Sequence, residues 1–345
     1  MFPKEKIDDI VSSYKDFKIA TICSHSALQI FHGAKQEKIK TIGICTEKVR
    51  ELYESFPHAA PDEFIMVDDY SQIPAKELVE KRAILIPHGS LVEYTGKKID
   101  DLAVPIFGNR GSLMFERSRD KMFEWMHKSG MRTPRILKPD DIDGPAIVKF
   151  PGAKGGRGYM VVHTPEEYYS KVEDGAKTMV QEFIIGVRAY VHYFHSFIGD
   201  AGYKTTYGKV EMLGVDRRME SNADEIARQL SVGAKVPISF TVMGNQSMVL
   251  RESLLPEYMS MGRNVCNTSR NLFGGIHGPF CIETIVTEDL DIVAFEISAR
   301  IVAGTNLLKS PYAIYSHGFN FTTGMRIARE LKDAHKKKKL SEIVY

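Results

Sequence analysis

Residues 281–300 read CIETIVTEDLDIVAFEISAR, two apolar runs of strand length joined by the turn-like TEDLD, each interrupted by one glutamate, Glu283 or Glu296. A carboxylate set into an apolar strand needs a partner to offset its lost hydration. A divalent cation is such a partner, because magnesium takes one or two protein carboxylates and completes its shell with phosphate oxygens and water. Arg300, four residues beyond Glu296, adds a cation suited to charge on a transferring phosphoryl group. A salt bridge confined to these three side chains fits the same letters.

Two upstream segments share this chemistry. In AIVKFPGAKGGRGYMVV (146–162) a strand lysine, Lys149, precedes a loop rich in glycine, including Gly155 and Gly156. Backbone N–H groups of such a loop surround phosphate oxygens, and the lysine supplies fixed positive charge; a hairpin with an ordinary glycine turn reads the same. In MVQEFIIG (179–186) a strand ends in Glu182 before Gly186. A carboxylate there suits ribose hydroxyls, and equally suits open surface. GxxxxGK[ST] and strand-to-helix GxGxxG patterns are absent. A protein kinase is excluded too, since the glycine loop follows its lysine and neither HRD nor DFG occurs.

The amino-terminal third has a different texture. The runs FKIATIC (17–23), KTIGIC (40–45), EFIMV (63–67) and AILIP (83–87) alternate with helical or loop stretches, which predicts an open, mostly parallel sheet over about the first 110 residues. Ligands on such sheets sit at the carboxyl ends of the strands, where Ser24-His25-Ser26 and Pro87-His88-Gly89-Ser90 fall. A helix beginning beside His25 and Ser26 offers N–H groups to a phosphate or carboxamide. His25 equally fits a helix cap or plain surface, and Ser90 a cap. RSRDKMFEWMHKSGMRTP (117–134) reads as a helix stopped by Gly130, and further helices are expected near 165–173, 222–233 and 320–334.

The chain has 345 residues, enough for two or three domains, and 46 Lys plus Arg against 44 Asp plus Glu leave a net charge of +2. That field is too weak to argue for nucleic acid. No run approaches the roughly 20 apolar residues of a membrane span, so a soluble, cytoplasmic protein without membrane partners is expected. Cys23, Cys45, Cys266 and Cys281 lack metal-ligand spacing and read as packed, reduced thiols. The run Lys336–Lys339 reads as a solvated tail.

The order of Arg119-Asp120-Lys121, Lys149 with its glycine loop, Glu182, and the Glu283/Glu296/Arg300 hairpin resembles the ATP-grasp superfamily. The resemblance implies a Rossmann-like domain at 1–115, an α+β lobe with the glycine loop at 116–200, and a carboxy-terminal lobe with the metal site at 201–345, the two lobes gripping ATP. Within the superfamily SHSALQIFHGAK (24–35), IPHGSLVEYTG (86–96), FGNRGSLMFERSRDK (107–121), LRESLLPEYMSMG (250–262) and FEISARIVAGTN (295–306) are similar to an archaeal family of purine-biosynthesis ligases. These formylate aminoimidazole carboxamide ribonucleotide with formate and ATP.

By motif, the resemblance implies that His25, Ser26, Ser90 and Asn245 bind the ribonucleotide. Lys149, Gly155, Gly156, Glu182 and Glu220 would bind ATP, Glu283 and Glu296 would hold Mg2+ or Mn2+, and Arg300 and Lys149 would act on the phosphoryl group. The partners implied are ATP, formate, the ribonucleotide and further copies of the chain, as a trimer or hexamer. Ser298 departs from the family's usual asparagine and puts a third oxygen ligand in question. His25 and His277 are candidates by type for taking up the amine proton. Other readings are an ATP-grasp ligase for another carboxylate and amine, and a nucleotide sensor without chemistry, against which the complete Glu283/Glu296/Arg300 set speaks.

Overall fold

The computed structural model describes residues 1–154, 157–221, 225–233, 239–306 and 310–345. Its strands form three sheets in chain order. The first holds β1 (Lys18–Ile22), β2 (Thr41–Cys45), β3 (Glu63–Met66) and β4 (Ala83–Leu85), all parallel in the order β3-β2-β1-β4. Every residue of β2 is buried, as expected of a parallel strand covered on both faces.

The second sheet is antiparallel: β5 (Ile136–Leu137), β6 (Ala146–Lys154), β7 (Arg157–Val162) and β8 (Met179–Glu182), ordered β5-β8-β6-β7. The largest contains β9 (Val187–Ser196), β10 (Tyr203–Thr205), β11 (Gly208–Glu220), β12 (Val242–Ser247), β13 (Gly278–Val286) and β14 (Ile292–Ser298). Its order is β10-β11-β9-β13-β14, with β12 added on β11.

Alternation along these last strands separates a packed face from a working face. Val191, Tyr193, Phe280, Ile282 and Ile297 point into a core with Trp125, Tyr258 and Val265 from the helices Arg119–Lys128 and Leu255–Phe273. Trp125 is fully buried and donates its indole N–H to the Val265 carbonyl at 3.1 Å. Gly262 lies against the Tyr193 ring, where a Cβ would stand 2.6 Å from a ring carbon. The opposite face carries Tyr190, His192, Asp216, Arg218, Glu283, Glu296 and Ser298.

The sequence boundaries cut across hydrogen-bonded neighbours. β9, assigned with the lobe at 116–200, pairs with β11 and β13 and belongs to the large sheet. The last residues return to the first sheet: Ile106 and Tyr345 exchange backbone hydrogen bonds at 3.0 and 2.8 Å, and Leu331, Leu340 and Val344 share a core with Ile7, Ile19 and Ile30. Lys336–Lys339 is therefore no tail. It closes the helix Thr323–Lys336, and the chain then buries Leu340, Ile343 and Val344. The helix expected at 222–233 is described over Ile226–Ser231. No helix among the described residues is long and apolar enough to cross a membrane.

Candidate active site

Glu283 on β13 and Glu296 on β14 stand directly opposite one another in the antiparallel ladder. Glu283 is buried, and its Oε1 accepts from Arg218 Nη2 at 2.7 Å and from Ser298 Oγ at 3.2 Å. Its Oε2, also buried, has no hydrogen-bond partner among the described residues. Burial, and next the neighbouring Glu283 charge, push the Glu296 carboxyl up to about 7. A facing carboxylate pair with an open buried oxygen fits a hard divalent cation. The described residues contain no group of three or more His, Cys, Asp or Glu side chains able to hold a metal, so phosphate and water would complete the coordination. Ser298 serves here by orienting Glu283.

Lys149 approaches this pair from β6 of the second sheet. Burial pulls its ammonium down to about 8 against the opposing pull of Glu296, with Arg119, Glu283 and Arg188 also close enough to act on it. Arg188 on β9 pairs with Glu220 at 2.5 Å. Glu182 ends β8, the last strand before the chain crosses to the large sheet. Its Oε2 accepts from the backbone N and Nε of Arg135, both at 3.2 Å. Gly186 in that crossing is required by space, since a Cβ would lie 2.3 Å from the Val286 carbonyl oxygen. Gly155 and Gly156 lie outside the described residues.

The first sheet supplies the far wall. His25 follows β1 with φ 45°, a left-handed conformation uncommon away from glycine, and stands exposed. Its Nδ1 lies 2.8 Å from Ser26 Oγ, and its ring stacks on His88 at 5.5 Å and 8°. His88 is buried, donates from Nε2 to the Ile22 carbonyl at 3.2 Å, and accepts the Leu91 N–H on Nδ1 at 3.4 Å, capping the helix Gly89–Thr95. Cap duty therefore falls to His88 rather than Ser90, whose hydroxyl meets that of Ser24 at 3.0 Å. Desolvation, reinforced by Arg300 and Arg218, holds His25 down at about 4.

Arg300 joins the two regions. Its Nη2 reaches Glu116 Oε1 at 3.0 Å, and Glu116 Oε2 accepts the Ala299 N–H at 2.8 Å, so one carboxylate fixes the turn after β14. The Arg300 Nε is buried without a partner among the described residues. A Cβ at Gly89 would lie 3.2 Å from His25 Nε2 and 3.5 Å from Arg300 Cζ. The arginine thus meets His25 over that glycine. Asn245 stands opposite Arg218 in the β11–β12 ladder.

Of the residues expected from sequence, His25, Ser26, Ser90, Lys149, Glu283, Glu296 and Arg300 line this region. Glu220 joins through Arg188, and Asn245 through its place opposite Arg218. His277 does not join them. It is half-buried and packs edge-on against Phe197, with ring centroids 4.0 Å apart, and the charges acting on it come from His195, Arg270 and Lys4. Arg218, Arg188 and Glu116 were missed. Asp216, Arg218 and Glu220 alternate along one strand, a polar period of two that marks a working sheet face.

A parallel amino-terminal sheet followed by two antiparallel sheets that meet over paired carboxylates and a strand lysine is the ATP-grasp architecture. The same fold occurs in the carboxyaminoimidazole ribonucleotide synthase of Aspergillus clavatus, crystallised with ATP (TM-score 0.58, 11% identity, 86% of this chain and 75% of that one). The structure of the IMP biosynthesis protein PurP from Thermococcus kodakaraensis is nearer, with a TM-score of 0.76 and 30% identity over 95% of this chain and 100% of that one. Residues 19–137 match the model of a protein of unknown function (DUF1246), and residues 166–345 that of a domain of unknown function (DUF1297). Over the full length of both chains, this one is 49% identical to the 5-formaminoimidazole-4-carboxamide-1-(beta)-D-ribofuranosyl 5'-monophosphate synthetase of Methanococcoides burtonii and 48% identical to that of Methanothrix thermoacetophila. The chain belongs to this synthetase family, whose members are ligases of purine biosynthesis.

Proposed function

We propose that the chain formylates 5-aminoimidazole-4-carboxamide ribonucleotide with formate and ATP, releasing ADP and phosphate. A formate oxygen attacks the γ-phosphorus as the bond to the bridging oxygen of ADP breaks, giving formyl phosphate. The 5-amino nitrogen then attacks the formyl carbon, phosphate leaves, and the nitrogen loses a proton. The reading rests above all on the facing Glu283 and Glu296, with the open Glu283 Oε2, beside Lys149 and Arg300. Such a set is built for phosphoryl transfer.

In this scheme Glu283 and Glu296 hold a magnesium or manganese ion, which supplies neutralising charge to the nucleotide phosphates when bound. Lys149 and the backbone of 155–156 bind phosphate oxygens, while Glu182 and Glu220 serve the nucleoside end. Arg300, steadied by Glu116, meets charge on the moving phosphoryl group. His25, Ser26, Ser90 and Asn245 bind the ribonucleotide, and closure of the second sheet over the large one keeps water from the acyl phosphate.

The chain acts in the cytoplasm as a homo-oligomer, a trimer or hexamer. Tyr315 and Phe319, 82% and 85% exposed, offer aromatic surface for that assembly, which light scattering measures.

The test supplies the purified protein with magnesium, ATP, formate and the ribonucleotide, and follows phosphate and the formylated product together. Stoichiometric release that needs all three substrates is the expected result. ATP binding without either product would leave the fold's nucleotide chemistry and remove this substrate pair.

A further inference from the structure

One buried carboxylate on the working face ties three strands together. Asp216 of β11 is 1% exposed. Its Oδ1 lies 2.6 Å from His192 Nε2 on β9, and its Oδ2 lies 2.6 Å from Asn245 Nδ2 on β12. Both are lengths of charge-assisted hydrogen bonds. A carboxylate only accepts, so both neighbours donate: His192 through Nε2–H and Asn245 through its amide NH2. An amide whose nitrogen is held this way keeps its carbonyl Oδ1 as the group it presents.

The arrangement is closed from above. The turn Ala303–Asn306 passes so near that a Cβ at Gly304 would lie 2.0 Å from Asp216 Oδ1 and 2.8 Å from His192 Nε2. Asn245 itself is half-buried. Its cross-strand partner Arg218 holds Glu283 and helps to keep His25 neutral. Residues directly opposite in a ladder share a face, so Asn245 emerges beside the cleft that these groups line.

We infer that Asp216 and His192 are positioning residues that lock Asn245 with its carbonyl oxygen toward the ligand, so that position 245 selects a hydrogen-bond donor of the ribonucleotide, an exocyclic N–H of the base or a ribose hydroxyl, over its phosphate. This rests on the reading above, in which Asn245 touches the ribonucleotide. A phosphate ester offers that oxygen only acceptors and is repelled, whereas the 5-amino and carboxamide groups both donate. The ribose hydroxyls donate too, so the contact reads the nucleoside end of the molecule and not its phosphate.

A charge swap tests this by titration calorimetry on the full chain, with 5-aminoimidazole-4-carboxamide ribonucleotide and, separately, Mg-ATP. Asp216→Asn frees the Asn245 amide to turn over, and Asn245→Asp sets two carboxylates face to face. Each is expected to raise the Kd for the ribonucleotide roughly ten- to a hundredfold. Combining the two rebuilds the chain of donors: the amide at 216 accepts from His192 and donates to the carboxylate at 245, whose second oxygen faces the cleft as an acceptor. Affinity then returns to within about threefold of the parent.

His192→Gln keeps a donor in place and retains affinity; His192→Leu does not. Unchanged Mg-ATP binding in every variant shows that each has folded. A double variant as weak as its parents would mean that position 245 presents a donor and would overturn the inference. So would full affinity in Asp216→Asn alone. Failure of the unsubstituted protein to bind the ribonucleotide would overturn the functional reading and this one together, whereas the pattern among variants bears on this one alone.

Discussion

Glu296→Gln separates a carboxylate that waits for a metal from one satisfied within the protein. Folding raises the Glu296 carboxyl from 4.5 to about 7, chiefly by burial and next by Glu283. The folded state therefore takes up this proton at higher pH than the unfolded chain, and stability falls as pH rises through that interval. The penalty is absent below about pH 4.5 and complete above about pH 7. At 1.36 kcal/mol per unit it amounts to about 3 kcal/mol.

Glutamine keeps the shape without the charge, so metal-free Glu296→Gln should be about 1–3 kcal/mol more stable than the parent at pH 8. At pH 4.5 the gain should vanish. Mg-ATP should cancel or reverse that advantage, because a ligand at a hundred times its Kd adds about 2.7 kcal/mol to the parent and little to the variant. Urea unfolding with chelator or with Mg-ATP, at both pH values, measures all four cases. If the variant proves less stable than the parent without metal at pH 8, Arg218 and Lys149 already satisfy the charge and the metal reading is refuted.

Other perturbations reach different parts of the molecule. Arg300→Lys should lower kcat about 10²–10³-fold with little change in the KM for ATP, because a compact ammonium cannot span Glu116 and the phosphoryl group from the two edges that the planar guanidinium offers; steady-state kinetics decide it. His25 is exposed as a residue, yet desolvation of its ring over His88, with Arg300 and Arg218 beside it, holds it near pH 4; it should stay neutral from pH 8 down to about 5, and an NMR inflection near 6.5 in the free protein would contradict that. Gly33→Ala should cost about 1–3 kcal/mol, since its Cβ would lie 2.1 Å from the Gly324 carbonyl carbon where the helices Ala27–Gln36 and Thr323–Lys336 cross. Gly144→Ala, which meets nothing within 4 Å, is the control in the same thermal melt.

Much of this was legible because it is local. The apolar runs named the parallel strands. The spacing around TEDLD set Glu283 against Glu296, with Leu290 taking the positive φ that the tight return requires. What escaped depends on pairing across long sequence distances. VRAYVHYFHS reads as a strand wherever it is placed, and only its registers with β11 and β13 give it to the large sheet. Asp216 is one more acidic residue in LGVDRRME until His192 and Asn245 are brought to it from 24 and 29 positions away. His277 resembled a proton acceptor by type alone, and its place against Phe197, with His195, Arg270 and Lys4 as its charged neighbours, removed it.

The return of residues 340–345 to the first sheet sets when, during synthesis, that part of the fold can be completed. The fully buried Arg110 gives its Nε to the Tyr345 carbonyl, 235 residues further along, and Ile106 closes a ladder with the same residue. At about 5–20 residues per second a ribosome needs roughly 12 to 50 seconds to make that stretch. For that interval the amino-terminal body stands with one flank bare, its Arg110 Nη groups already held by the Ile99, Leu102 and Val104 carbonyls but its Nε still without the Tyr345 acceptor. Anything that holds a young chain, a chaperone or the ribosome surface itself, has its opportunity there, and the domain translated first is among the last to be sealed.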